Sequence, residues 1–320
     1  MSAPLVSVIV PAYEVATRIA AAIGSALAQS LAELEVVVAD DASRDDTAGV
    51  VLEMARRDPR VRLLRAEVNG GPARARNRAI AAARGTWIAP LDADDAYQPR
   101  RLERLLALAT TCRADLVADN LRLVDGASGQ DLGPALPEDP QGAPEIVSAT
   151  RFVRANLHDG FSWGYLKPLI RRAFLDRHGI RYREFLRIGE DYALDLDCLL
   201  AGARFALTRE PLYDYHLTPG SISRRLEAAH IRALCALNRE HLAAAGDHRP
   251  GLVVALWERQ AMLERMLGHV RFVERVKAGR IAAAMAVLMR RPAVVPLVLR
   301  YGRESLLKRL GLLGFHGRRI

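Results

Sequence analysis

The sequence predicts an α/β fold: a mainly parallel sheet flanked by helices, followed by a helical, basic C-terminal extension. Three observations carry this. Short apolar runs alternate with helical patterns as far as about residue 100, the order expected of βαβ units. Those runs are almost continuously apolar, as in strands covered on both faces. Beyond about Arg224 the pattern is helical with brief breaks, and basic residues gather toward the end.

Taken in order, Leu5–Pro11, Leu34–Asp40, Val61–Ala66 and Thr86–Asp92 read as strands. Between them, helices are expected at about Ala16–Gln29, Asp46–Arg57 and Pro72–Ala83. In open α/β sheets the ligand crevice lies beyond the carboxyl ends of the strands. That rule gathers Tyr13, Asp40, Asp41, Asn69 and Asp92 at one edge. A helix at about Pro99–Thr110 and a strand at Asp115–Asp119 follow. Asp125–Pro144, rich in Gly, Pro and Asp, reads as a long loop. Then come a helix near Ala149–Leu157, a strand around Tyr165–Ile170, a helix from Asp191 to about Ala201, and a strand pair at Arg204–Thr208 and Pro211–His216. The expected division is an α/β domain over 1–223, in halves to about 120 and from about 145, and a helical extension over 224–320.

Half of the residues are hydrophobic and only 6% aromatic, so the core must be built mainly from Ala, Val, Leu and Ile. Cys112, Cys198 and Cys235 are far apart and odd in number, which suggests reduced thiols and a cytoplasmic address. The N-terminus shows no basic stretch before its short apolar run, so no secretory signal is expected. Of the net charge of +9, seven units sit between Arg290 and Ile320, where eight Lys/Arg face one acid, Glu304. The apolar runs there are too short to span a bilayer. Apolar patches between Arg clusters suit an amphipathic segment on an anionic membrane surface; a helical cap or a dimer interface is the plainer reading. Nucleic acid is not expected, because the tail carries few aromatics and no binding module.

Three acidic clusters stand out: Ala39–Asp46 (ADDASRDD), Leu91–Asp95 (LDADD) and Gly189–Asp191 (GED). Ser43 or Asp45 suits a helix N-cap. Asp40 and Asp41 are left over at a strand end, where a carboxylate could accept the imide N–H of a uracil. Asp92 and Asp94 form a D-x-D pair suited to Mg2+ or Mn2+ shared with phosphate oxygens. Asp95 reads as an ordinary turn residue. Asp191 at a helix start is favoured in its ionised form, as a cap or as a general base. Asn69–Asn77 (NGGPARARN) brings a glycine turn into a helix N-terminus and adds Arg74 and Arg76, a combination suited to diphosphate.

Taken in this order, the motifs resemble family 2 glycosyltransferases of the GT-A fold, over roughly Leu5 to Ser223. The likeness is greatest to bacterial members that assemble exopolysaccharides of the succinoglycan type, including glucosyltransferases. It implies that the α/β domain is catalytic, its first half nucleotide-binding and its second half acceptor-binding. The resemblance implies that Pro11, Ala12 and Tyr13 line a nucleotide pocket and that Asp41 binds the uracil, with Asp40 supporting it. Asn69, Gly71 and Arg76 would lie beside the nucleotide, Asp92 would face the ribose or the metal's water shell, and Asp94 would ligate the metal. Asp191 matches the catalytic base. His216 stands where Arg is common, which leaves metal, phosphate and packing roles open. The implied reaction is inverting transfer of a hexose, glucose first, from a UDP-sugar to a lipid-linked oligosaccharide, by a cytoplasmic protein peripheral to the inner face of the plasma membrane. The rival readings are a non-catalytic sugar-nucleotide scaffold and a nucleotidyltransferase.

Overall fold

A computed structural model describes residues 3–139, 142–158, 161–217, 227–246 and 249–309, with backbone alone for 304–309. The chain divides into two compact units. The first takes the described residues up to Phe152 and from Trp163 to Leu217; the second takes Val153–Ser162 and the described residues from Glu227 onward.

The first unit opens with β1 (Val6–Ala12), α1 (Ile19–Leu27), β2 (Leu34–Asp40), α2 (Thr47–Arg57), β3 (Val61–Arg65), α3 (Pro72–Ala82) and β4 (Trp87–Pro90). These strands pair in parallel in the order β3-β2-β1-β4. Every residue of β2 is buried, and all of β1 but Pro11, which is why the sequence runs are apolar throughout. The chain leaves β1 toward β2 on one side, while β4 joins on the other. The switch point thus lies at β1, and by the rule for open α/β sheets the carboxyl ends of β1 and β4 are where a ligand crevice is expected.

Beyond β4 the sheet becomes mixed. The elements are β5 (Ala96–Tyr97), α4 (Arg101–Cys112), β6 (Leu116–Asp125), β7 (Asp131–Pro134), β8 (Glu145–Val147), α5 (Ala149–His158), a 3-10 turn at Trp163–Tyr165, β9 (Leu169–Arg171), α6 (Arg172–His178), α7 (Glu190–Leu200) and β10 (Phe205–Leu217). The order continues β9-β6-β10-β5, and β9 runs antiparallel to both β4 and β6. Several expectations are corrected. The segment Asp125–Pro144 is not one long loop, because β7 folds back on β6; β8, just beyond it, pairs with β10. The expected strand at Tyr165–Ile170 is a 3-10 turn followed by the short β9. The expected pair at Arg204–Thr208 and Pro211–His216 is the single strand β10. Its register shifts on either side of Pro211, a residue with no N–H to give the ladder.

A buried ion pair joins α4 to β6. Arg101 donates to both carboxylate oxygens of Asp119 at 2.7–3.1 Å, and both side chains are 0% exposed. The guanidinium also faces the rings of Tyr97 and Tyr213 at 4.4 and 5.1 Å and donates to the carbonyl of Lys167 at 2.8 Å.

In the second unit, α8 (Ala228–Ala245) packs on α9 (Pro250–Lys277) through Ile231, Leu234, Leu237, Leu252, Leu256 and Leu263, all buried. Asn238 donates to Leu256 O and Gln260 Oε1 and accepts from Arg259, so the buried polar groups are paired. Next come α10 (Ile281–Arg290), a 3-10 turn (Pro292–Val294) and α11 (Val295–Arg309). Ala284, Val287 and Val294 are buried, whereas Ile281, Met285, Met289 and Leu299 are more than half exposed. Among the described residues no single helix is long and apolar enough to cross a membrane. The segments Ile281–Arg290 and Pro292–Arg303 reach that composition only together, with a bend of 106° between them.

Candidate functional site

The carboxyl ends of β1 and β2 are tied together by a backbone bond from Asp41 N to Ala12 O at 2.8 Å. Pro11 and Ala12 end β1, and Tyr13 just beyond is 42% exposed. The Asp41 carboxylate accepts the amides of Gly70 (3.0 Å) and Gly71 (2.7 Å), and its carbonyl accepts the Asn69 side chain at 3.2 Å. Asp41 therefore pins the glycine turn that leads into α3. Gly71 sits at φ +88°, a conformation that favours glycine, and the end of the Arg187 side chain occupies the space where a Cβ would lie. Asp40 is fully buried; it accepts Ser43 N at 3.2 Å and faces Arg65 at 3.4 Å. The expected cap is corrected: the N-cap of α2 is Asp46, with no side-chain cap bond. Asp45 accepts the Thr47 amide, and Ser43 and Asp45 accept the amides of Glu14 and Ala16 and so hold the loop after β1.

The other side of the crevice is a charge cluster. Asp92, directly after β4, pairs with Arg76 of α3 at 2.5 Å and with Lys167 Nζ at 2.8 Å. Glu190 pairs with Arg76 at 2.8 Å, and Asp191 with Lys167 at 2.5 Å; Arg76 stands 3.9 Å from Asp191. Arg76 and Lys167 are 4% and 3% exposed. Both cations hold Asp92 well below the usual carboxylate range despite its burial. The carboxylates keep Lys167 above its ordinary value, although burial alone would lower it. Asp191 Oδ1 is buried with no hydrogen-bond partner.

Asp94 and Asp95 have different fates. Asp94 is part-exposed, with Arg18 at 3.3 Å; partial burial, then the charge of Asp92, raises its pKa. Asp95 is no ordinary turn residue. It is buried, accepts the Tyr213 hydroxyl at 2.8 Å and the His216 amide at 2.8 Å, and anchors the end of β10. Burial pushes its carboxyl above the usual range. His216 lies with Nδ1 3.8 Å from Asp95. That contact, against partial burial, raises the imidazole pKa. The end of the resembling region, from Thr218 to Ser223, lies outside the described residues.

Among the described residues no group of three or more His, Cys, Asp or Glu is arranged to enclose a metal. Both oxygens of Asp92 are taken by Arg76 and Lys167, so of the expected pair Asp94 is the carboxylate that could share a hard divalent cation with water and a diphosphate.

Sequence reasoning missed Lys167, Arg101–Asp119, Tyr213, Arg18 and the anchoring role of Asp95. One signal was present. The chain has 43 arginines and three lysines, and Lys167 is the single lysine before residue 277. A lysine held against that bias, between Leu166 and Pro168, stands out.

Asp195, one turn beyond Asp191, is 1% exposed and its Oδ2 has no partner. Burial, then the charge of Asp191, drives its pKa far above the ordinary value. A carboxyl whose pKa is raised on folding stabilises fully below its unfolded pKa, and the contribution fades as pH rises toward the folded value. Wild-type stability should thus fall relative to Asp195→Asn as pH rises from 5 to 8, at up to about 1.4 kcal/mol per pH unit. Urea unfolding of both at each pH reads this; parallel pH dependences would refute a neutral Asp195.

The Glycosyl transferase family 2 domain matches residues 7–174. The succinoglycan biosynthesis protein ExoO of Rhizobium meliloti is 42% identical over 244 residues, covering 75% of this chain and 68% of that protein. Among solved structures, S. aureus TarS 1–349 in complex with UDP superposes with a TM-score of 0.65 at 20% identity, over 90% of this chain and 91% of that one. The mannosyltransferase PcManGT from Pyrobaculum calidifontis, in complex with GDP-Man and Mn2+, gives 0.57 at 20% identity, over 98% and 84%. The fold is the GT-A fold, and the chain belongs to glycosyl transferase family 2.

Proposed function

We propose that the chain is an inverting hexosyltransferase that moves a hexose, glucose as the first candidate, from a UDP-sugar to a lipid-linked oligosaccharide in exopolysaccharide or other surface polysaccharide synthesis. The observation that carries the reading is Asp191. One of its oxygens is held by Lys167 while Oδ1 is buried without a partner. A buried acceptor left unpaired is costly, and the hydroxyl of a sugar acceptor supplies the missing donor. Asp191 then takes that proton as the oxygen attacks the anomeric carbon from the side opposite the leaving UDP. Pro11, Ala12, Tyr13, Asp40, Asp41, Asn69 and Gly71 line the nucleotide end, and Arg76 and Asp92 close it toward the sugar. The relative named for succinoglycan biosynthesis and the UDP complex of TarS support this donor and pathway.

Asp94, with Asp92 beside it, would hold Mg2+ or Mn2+. Bound there, the cation offsets negative charge on the diphosphate, and the Mn2+ complex of PcManGT supports that cofactor. His216 as a third metal ligand is the weaker alternative, since imidazole is a less typical ligand for Mg2+ than for Mn2+ or softer ions.

The membrane partner rests on α10. Ile281, Met285 and Met289, four residues apart, form one exposed stripe. Arg280, Arg290, Arg291, Arg300 and Arg303 surround it, with no acid from Ala278 to Arg303. Such a face suits the headgroup boundary of an anionic leaflet, consistent with a peripheral position on the inner face of the plasma membrane.

Three outcomes test this function. Asp191→Asn should lower kcat by about 10²–10⁴-fold with UDP affinity by calorimetry nearly unchanged; an equal loss of affinity would contradict a base. Asp94→Ala should abolish the gain in UDP affinity that Mn2+ brings, and a gain that persists moves the ligand elsewhere. The protein should float with phosphatidylglycerol vesicles and not with phosphatidylcholine vesicles, and Met285→Glu/Met289→Glu should release it. Equal flotation of wild type and variant would remove the stripe from the account.

A further inference from the structure

Lys167 lies outside every motif that pointed to the site, yet it touches both halves. Its ammonium is 2.8 Å from Asp92 and 2.5 Å from Asp191. One compact nitrogen thus bridges a carboxylate after β4 and another on α7. An ammonium puts all its donors on one atom, whereas a guanidinium spreads them over a planar fork, so the lysine draws the two carboxylates to a single point in an otherwise arginine-rich chain.

The backbone is committed to the same end. Lys167 sits at φ +50°, a left-handed conformation that costs a non-glycine residue about 1–2 kcal/mol. It is held there by the Arg101 guanidinium on its carbonyl, itself locked by Asp119 and the rings of Tyr97 and Tyr213. Strain at a residue that bridges two acids is the kind stored at functional positions. Lys167 also balances charge, since Arg76 pairs with Asp92 and Glu190 and leaves Asp191 to the lysine.

We propose that Lys167 is a positioning residue for transfer: its ammonium ties Asp191 to Asp92 and so fixes the base relative to the donor, with Arg101 and Asp119 holding the lysine in place. This rests on the reading of Asp191 as the base. With the tie removed, Asp191 loses the contact that fixes one of its two oxygens and turns away from the attacking hydroxyl. Misplacement by about 1 Å costs on the order of 10²-fold in rate.

The test is a double-mutant cycle of Lys167→Met and Asp191→Asn in the full chain, read as kcat for UDP release with a sugar acceptor and as UDP affinity by calorimetry. Lys167→Met should lower kcat about 10²-fold and change UDP affinity less than threefold. In the Asp191→Asn background it should lower kcat no further, because residues acting as one unit are not additive. Lys167→Arg keeps the charge and serves if the methionine variant does not fold; it should show the same non-additivity. Additive losses, or a folded Lys167 variant with kcat within threefold of wild type, would overturn the positioning role. If Asp191→Asn alone leaves kcat unchanged, it is the base assignment that fails.

Discussion

Three carboxylates share a few ångströms at the carboxyl edge of this sheet, and two buried cations make that possible. At an effective dielectric of about 20, two like charges 4 Å apart repel by about 4 kcal/mol. Asp92, Glu190 and Asp191 would therefore drive α7 away from β4 were they alone. Arg76 bridges the first to the second and Lys167 the first to the third, so the charges that would open the crevice hold it together. Removing one partner from such a buried set is severe because its mate is left uncompensated. Arg76 comes from α3, whose start is fixed by Asp41, and Lys167 hangs from the Arg101–Asp119 pair. The glycine turn, the mixed half of the sheet and the start of α7 all converge on this cluster.

The parallel half of the fold was legible because its strands are covered on both faces and its turns carry their own chemistry. β1 through β4 and the helices between them fall within a few residues of their expected places. The mixed half was less legible for a physical reason. β9 has three residues, and its place between β4 and β6 depends on partners more than 45 residues away. Nothing local encodes that choice. Pro211 read locally as a break between two strands, whereas the ladder absorbs it as an irregularity within β10.

The site divides along the same line. Asp92, Asp94 and Asp191 stand in motifs whose residue types announce chemistry. Asp95 was read as the plain turn residue of its cluster, because the hydroxyl that claims it belongs to Tyr213, 118 positions away. Like charges packed as closely as in LDADD need partners, and in the fold side chains supply many of them: Arg76 and Lys167 at Asp92, Arg18 at Asp94, and the Tyr213 hydroxyl and His216 amide at Asp95. What remains for a metal is the outward carboxylate of Asp94, a partial site that a donor's diphosphate would complete.

The central claim is that this cluster sets a single base opposite the leaving group. If Asp191 activates the acceptor hydroxyl for direct displacement, as proposed, the anomeric carbon is inverted. The most direct measurement is the anomeric proton coupling, by NMR, of the first product formed from a UDP-α-hexose. The account predicts the β-linked product, the inverse of the donor configuration. An α-linked product would contradict it.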